Sequence, residues 1–166
     1  MNHRFSEPQF KTLLQIGIVV NDVEESVKIY EEQFGIGPWE INMLSNEIPV
    51  FKDLKINGEI GDFKIKCAMG TFYGLEIELV EPISDGPYKK WLEEHGPGVH
   101  HFAFLTKDSY GKILEDHKKM TGNDPWLRGQ CEAIGMDFSY LDLTKQIGMF
   151  IEIYGENTQG KKGHDF

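Results

Sequence analysis

The sequence predicts an α+β fold of two tandem βαβββ modules, and three observations predict it. A strand-then-helix unit occurs twice at an offset of 86 residues, a similar strand closes each half, and the apolar parity of every strand leaves one face for helices. LLQIGIVV, residues 13–20, alternates and is rich in β-branched residues, so it reads as a strand; NDVEESVKIYEEQFGIGP then reads as an amphipathic helix. Asp22 is the expected N-cap with Glu25 three residues on, and Val23, Val27, Tyr30 and Phe34 form the apolar stripe. Gly35 to Pro38 end the helix.

Asn42 to Asp62 gives the weakest signal and is expected to be a mobile loop over a site. FKIKCAMGTFYG and GLEIELVEP read as two further strands of the first half, and PYKKWLEEHGPG, with Pro87 near its start and Gly96 past its end, as a short connecting helix. The second half restarts with HHFAFLT. The helix after it carries Tyr110, Ile113, Leu114 and Met120 at helical spacing before Gly122; MDFSYLDLTKQIGM and GMFIEIYGE supply strands. The expected organisation is one domain over 1–166: repeat 1 at about 11–83, the connecting helix at about 86–96 and repeat 2 at about 98–155, with residues 1–10 and the tail after Tyr154 peripheral.

A chain of 166 residues that is 40% hydrophobic can build one real core. Seventeen basic against 27 acidic residues give a net charge of −10, which repels a polyanionic backbone, so nucleic acid is not an expected partner. No apolar run is long enough to cross a bilayer and MNHRFSEPQFK lacks a signal-peptide core, so a soluble cytoplasmic protein without a membrane partner is expected. Cys67 and Cys131 lie far apart, without metal-type spacing, and read as ordinary free thiols.

Strand parity then locates the chemistry. If Ile16, Ile18 and Val20 meet the helix, Gln15, Gly17 and Val19 point the other way, and the matching residues of the second half are His101, Ala103 and Leu105. Glu78 and Glu152 share that face, since Ile77, Leu79, Ile151 and Ile153 take the helix side. Gly17 and Ala103 are small and leave room beside them. Four polar groups thus meet on one concave surface: an amide oxygen, an imidazole and two carboxylates, a mixed set that suits one divalent ion, zinc foremost, with nickel, cobalt or manganese also accommodated. Such an ion would polarise a carbonyl or enediol oxygen while a carboxylate takes a proton from the adjacent carbon.

Simpler readings compete with this one. Gln15 alone reads as a hydrogen-bonding surface residue, His100 and His101 as one exposed and one core histidine, and Glu78 with Glu76 as a solvated acidic edge. The repeat singles out His101 and, because Glu76 falls against Phe150, Glu78. Glu152, flanked by Phe150, Ile151 and Ile153, is costly in so apolar a strand unless paired or metal-bound. Phe138 and Tyr140 share strand parity and either line the cleft or pack the core. Lys64, Lys66, Lys89, Lys90 and Arg128 are candidates to meet phosphates or a carboxylate of a ligand, although solvated surface is the simpler expectation.

QIGIVVNDVEESVKIYEEQFGIGPWEI, LEIELVEP, GPGVHHFAF and MFIEIYGE together resemble the vicinal oxygen chelate (glyoxalase) superfamily over nearly the whole chain. GPGVHHFAF and ELVEP look most like methylmalonyl-CoA epimerases, in which the second histidine of the pair is the ligand, here His101. The order Gln15, Glu78, His101, Glu152 is similar instead to zinc-type lactoylglutathione lyases. The resemblance implies a curved mixed sheet around a metal-binding cleft, a homodimer, and an acyl-CoA thioester or a glutathione hemithioacetal as substrate. Glu152 is then the base and Glu78 a ligand or second base. Epimerases carry a further carboxylate base where this chain aligns Lys64. The superfamily also implies two alternatives, a metal-free binding protein of the bleomycin-resistance type and an extradiol-type dioxygenase; Gln15 in place of a second histidine counts against the latter.

Overall fold

The computed structural model describes residues 7–61 and 63–156. In chain order the elements are β1 (Phe10–Val19), α1 (Val23–Phe34), β2 (Glu40–Ser45), β3 (Phe51–Ile56), β4 (Glu59–Ile60), β5 (Lys64–Phe72) and β6 (Leu75–Pro82). There follow α2 (Pro87–His95), β7 (Gly98–Thr106), α3 (Tyr110–Thr121), β8 (Leu127–Cys131), β9 (Met136–Leu143), α4 (Thr144–Ile147) and β10 (Met149–Glu156). The strands form one mixed sheet in the order β2-β5-β6-β1-β7-β10-β9-β8-β3-β4, which together with the helices makes the fold α+β as expected. Of the stretches expected to be peripheral, 1–6 and 157–166 lie outside the described residues; β1 starts at Phe10 and β10 continues to Glu156.

Local chemistry sets the helix ends. Asp22 Oδ1 accepts from the backbone N–H of Glu25 at 2.8 Å, and Gly35 closes α1 at φ 64°, a left-handed conformation that favours glycine. Val23, Val27 and Tyr30 pack on Ile18, Val20, Ile77 and Leu79, and in the second half Tyr110, Ile113 and Leu114 pack on Phe102, Phe104, Ile151 and Ile153. The strand parity holds. Two stripe residues fall outside it: Phe34 is 64% and Met120 61% exposed, because each lies in the last turn of its helix, beyond the strands beneath. His117 is the buried residue on α3 instead.

The centre of the sheet shows the repeat as symmetry. In the antiparallel β1–β7 pair, Gln15 faces Ala103, Ile16 faces Phe102 and Gly17 faces His101, the pattern of a two-fold axis through Ile16 and Phe102. On either side a parallel strand is added, β6 beside β1 and β10 beside β7.

The stretch expected to be a mobile loop, Asn42 to Asp62, is a correction: it holds the end of β2 and the β3–β4 hairpin, with Asp62 itself outside the described residues. β2 stands at one end of the sheet, yet β3, which begins only at Phe51, pairs with β8 near the other end. In a flat sheet those positions would be about 38 Å apart at ~4.8 Å per strand. The chain between them, from Ser45 to Phe51, reaches at most roughly 20 Å. The sheet therefore has to curl. Its concave side is filled by Val19, Ile65 and Val80 from one half, Leu127, Phe138, Tyr140 and Phe150 from the other, Leu54 and Phe63 from the crossing segment, and Tyr88 of α2. Among the described residues, no helix is long and apolar enough to cross a membrane.

Candidate metal centre

The four central strands each deliver one polar side chain to the concave side: Gln15 from β1, Glu78 from β6, His101 from β7 and Glu152 from β10. All four are buried. The structure brings them together around one atom. His101 Nε2 lies 3.2 Å from Gln15 Oε1, 3.5 Å from Glu78 Oε2 and 3.4 Å from Glu152 Oε2.

Burial dominates the electrostatics. It pushes the Glu78 carboxyl up to about 8, with the charge of Glu76 adding to the effect, and it pushes the His101 imidazole down to about 3. Glu152 is held well above the usual carboxylate range by burial first and by Glu78 second; the hydroxyls of Tyr154 and Tyr140 partly offset this. The imidazole is thus neutral at neutral pH, and its approach to the two acids is not an ion pair. Glu78 Oε2 and both oxygens of Glu152 accept no hydrogen bond of good geometry; the Tyr154 and Tyr140 hydroxyls act on Glu152 electrostatically without closing one. Buried carboxylate oxygens without donors are costly unless protons or a cation compensate them. By donor type, such oxygens beside an amide oxygen and an imidazole nitrogen suit a divalent ion, whose binding would draw the two acids closer together than they stand here.

Tighter packing of acidic groups occurs elsewhere. Asp22, Glu24 and Glu81 bring ligating atoms within 4.8 Å of one another, a closer group than the central one. There, however, Lys66 bridges Glu24 at 2.9 Å and Glu81 at 3.5 Å, and Glu81 also accepts from the Val23 N–H, so the charge is already answered. Lys64 is exposed at the start of β5 and supplies no base to the centre. Lys89 pairs with Asp85, and together with Lys90 it borders a groove beside α2. Cys67 is a buried free thiol whose acidity is suppressed by burial and by the nearby Glu78 and Glu76; Cys131 is half-buried and free.

Neighbouring residues shape the centre. A Cβ on Gly17 would sit 1.8 Å from His101 Cε1, so the missing side chain makes room for the imidazole itself rather than for a ligand. Tyr140, left between cleft and core by the sequence, stands 4.9 Å from the His101 ring, and Phe138 packs in the same concave cluster. His100 corrects the expectation of one exposed histidine: both are buried, and the Nδ1 atoms of His100 and His101 are 3.0 Å apart. The His100 ring stacks on Phe150 at 4.4 Å and also contacts Tyr88, Trp91 and Trp126. Glu76, set aside by the repeat, accepts from Gln15 Nε2 at 2.7 Å. Its strand parity, shared with Glu78, was the available signal; its place directly opposite Gln15 emerges only in the fold.

A model of the family described as the Glyoxalase/Bleomycin resistance protein/Dioxygenase superfamily matches residues 14–140. The uncharacterized protein YqjC of Bacillus subtilis (strain 168) is 22% identical over 142 residues, 83% of this chain and 87% of that protein. Among solved structures, the hypothetical protein BH1468 from Bacillus halodurans C-125 is similar at a TM-score of 0.56 and 23% identity, covering 93% of this chain and 98% of that one. A variant of Streptomyces coelicolor methylmalonyl-CoA epimerase in complex with 2-nitronate-propionyl-CoA gives 0.57 and 20%, over 90% and 96% of the two chains. The methylmalonyl-CoA epimerase from Mycobacterium tuberculosis gives 0.55 and 16%, over 93% of each. At these identities the likeness is one of fold.

Proposed function

The chain belongs to the Glyoxalase/Bleomycin resistance protein/Dioxygenase superfamily, and from that premise we propose a divalent-metal-dependent isomerase or lyase that moves a proton on the carbon next to a carbonyl. One observation carries the reading: two buried carboxylate oxygens, Glu78 Oε2 and Glu152 Oε2, neither accepting a hydrogen bond of good geometry, stand with Gln15 Oε1 around His101 Nε2. Gln15, Glu78, His101 and Glu152 would hold the ion, zinc foremost. When bound, it supplies a Lewis acid that stabilises negative charge developing on a substrate oxygen.

The chain's own groups account for the rest. For His101 Nε2 to present a lone pair, its Nδ1 must carry the hydrogen, and His100 Nδ1, 3.0 Å away, is placed to accept it. Glu152 is the base. Burial favours its protonated form, so a Glu152 carboxylate not engaged by the ion would take up a proton more readily than an exposed one. It takes the proton from the α carbon, leaving an enolate or enediolate of the substrate. Return of a proton to the opposite face from Glu78 gives the epimer; return to the neighbouring carbon gives an isomer. The apolar wall of Leu54, Phe63, Phe138 and Phe150 keeps water from these groups.

Two substrate forms fit this chemistry, an acyl-CoA thioester and a glutathione hemithioacetal. A structural neighbour described as a methylmalonyl-CoA epimerase in complex with methylmalonyl-CoA supports trying the first. The test is elemental analysis of the purified protein, followed by deuterium exchange at the α carbon of each substrate with the metal-loaded form. Bound metal at one equivalent per chain and exchange with one of the two is the expected result. A metal-free protein that exchanges neither would refute the reading.

A further inference from the structure

An amide offers a cation either its oxygen, which is attractive, or its NH2, which is repulsive, and the two ends have nearly the same shape. Gln15 can therefore serve the centre in only one of its two orientations. A carboxylate can only accept, so the Gln15 atom that lies 2.7 Å from Glu76 Oε1 must be the donor Nε2. That contact leaves Oε1 on the other side, 3.2 Å from His101 Nε2, the atom that Glu78 and Glu152 also approach. Glu76 lies directly opposite Gln15 in the parallel β1–β6 pair, half-buried and outside the central group.

The second half provides an internal control. In the β7–β10 pair His101 stands opposite Phe150, so the repeat itself supplies no carboxylate at this position. The acid occurs only where the inward group is an amide. His101 has its orientation fixed differently, through His100.

We propose that Glu76 is a positioning residue: it locks the Gln15 amide with its oxygen toward the centre and so makes Gln15 a metal ligand. This rests on the metal-dependent reading of the centre and deepens it. Because the lock acts through one hydrogen bond, its effect passes entirely through Gln15.

The experiment measures Zn2+ affinity by chelator competition and the visible spectrum of the Co2+-loaded protein, for wild type, E76Q, E76L, Q15A and the Q15A/E76L double variant. Thermal unfolding of the metal-free forms checks that each is folded, and E76T, too short to reach Gln15, replaces E76L should that variant not fold. Loss of an outer hydrogen-bond partner weakens metal binding about 10- to 100-fold, and that is the expectation for E76L. E76Q keeps an acceptor but permits the flipped pairing, so it falls between E76L and wild type. The Co2+ spectrum of E76L should match that of Q15A, and in the Q15A background E76L should cause no further loss. E76L binding as tightly as wild type, or losing as much affinity with Gln15 absent, would overturn the lock while leaving the metal centre standing. A wild-type protein that binds neither ion overturns both.

Discussion

β1 and β7 offer the centre the same backbone, related by the two-fold axis through Ile16 and Phe102, yet what surrounds the inward group differs between them. Beside Gln15 stands Glu76, with Gly17 two residues on; beside His101 stands Phe150, with Ala103 two residues on. The first half fixes an amide with a hydrogen bond. The second fixes a ring through a second histidine, His100, which itself stacks on Phe150. A duplicated scaffold thus preserves where side chains point while leaving free how each is held, and the two halves should respond differently to equivalent substitutions.

The largest effect tests the one feature the halves share. Glu152→Gln should lower α-proton exchange by about 10²- to 10⁴-fold, the usual worth of a general base, and weaken metal retention. Glu78→Gln should weaken metal retention too. Exchange assays beside metal analysis compare the two, and unchanged exchange in the Glu152 variant would remove it from the mechanism.

Phe150→Ala comes next, because the ring is buried against His100 and Trp126; a cost of about 3–5 kcal/mol in urea unfolding is expected. The equivalent change in the first half, Glu76→Ala, removes a half-buried acid and should cost far less in the metal-free protein. Equal costs would erase the contrast between stacking and hydrogen bonding.

Gly17→Ala should destabilise by about 1–3 kcal/mol, since the new methyl must displace the His101 ring. Its symmetry mate, Ala103→Gly, should cost only about 0.5–1 kcal/mol, the backbone penalty of glycine in a strand. Both are read from urea midpoints.

The pH dependence of the metal-free protein separates the halves most finely, at no more than about 1.4 kcal/mol per pH unit for each proton. Glu78, from the first half, keeps its proton in the folded state up to about 8, whereas the unfolded chain releases it above 4.5. Its contribution is therefore full below pH 4.5 and is lost as pH rises through 8. His101, from the second half, stays neutral in the folded state down to about 3 but takes a proton below 6.5 when unfolded, so its contribution is lost as pH falls from 6.5 to 3. The two oppose each other between 4.5 and 6.5. Thermal midpoints of chelator-treated protein should peak in that window and fall toward pH 8, with Glu152 acting in the same sense as Glu78. Added zinc should reverse the alkaline decline, and a midpoint that climbs steadily to pH 8 without metal would contradict it.

Much of this was legible because it depends on short-range rules. Alternation assigned Gln15, Glu78, His101 and Glu152 to one face, Asp22 announced a helix start, and an 86-residue offset aligned the two central strands. The pairing of β3 with β8 was not legible, since nothing in residues 51–56 marks a partner more than 70 positions away. His100 was hidden for a related reason: its burial comes from rings on α2 and β10 and from Trp126 ahead of β8, which only the folded chain assembles. Glu76 was discarded by sound logic applied to the wrong question. Its mismatch with Phe150 argues against a second ligand but says nothing about an orienting partner.

The five residues between Ser45 and Phe51 have a lasting effect on how the molecule can be taken apart. They carry a hairpin grown from one repeat across to the border of the other, where it pairs with β8. Severing the chain after Pro82 would strip β8 of its neighbour and leave it a bare edge prone to self-association, while the hairpin on the other piece would have nothing to pair with. The repeats look alike but have become inseparable, so neither can be exchanged for a copy of the other.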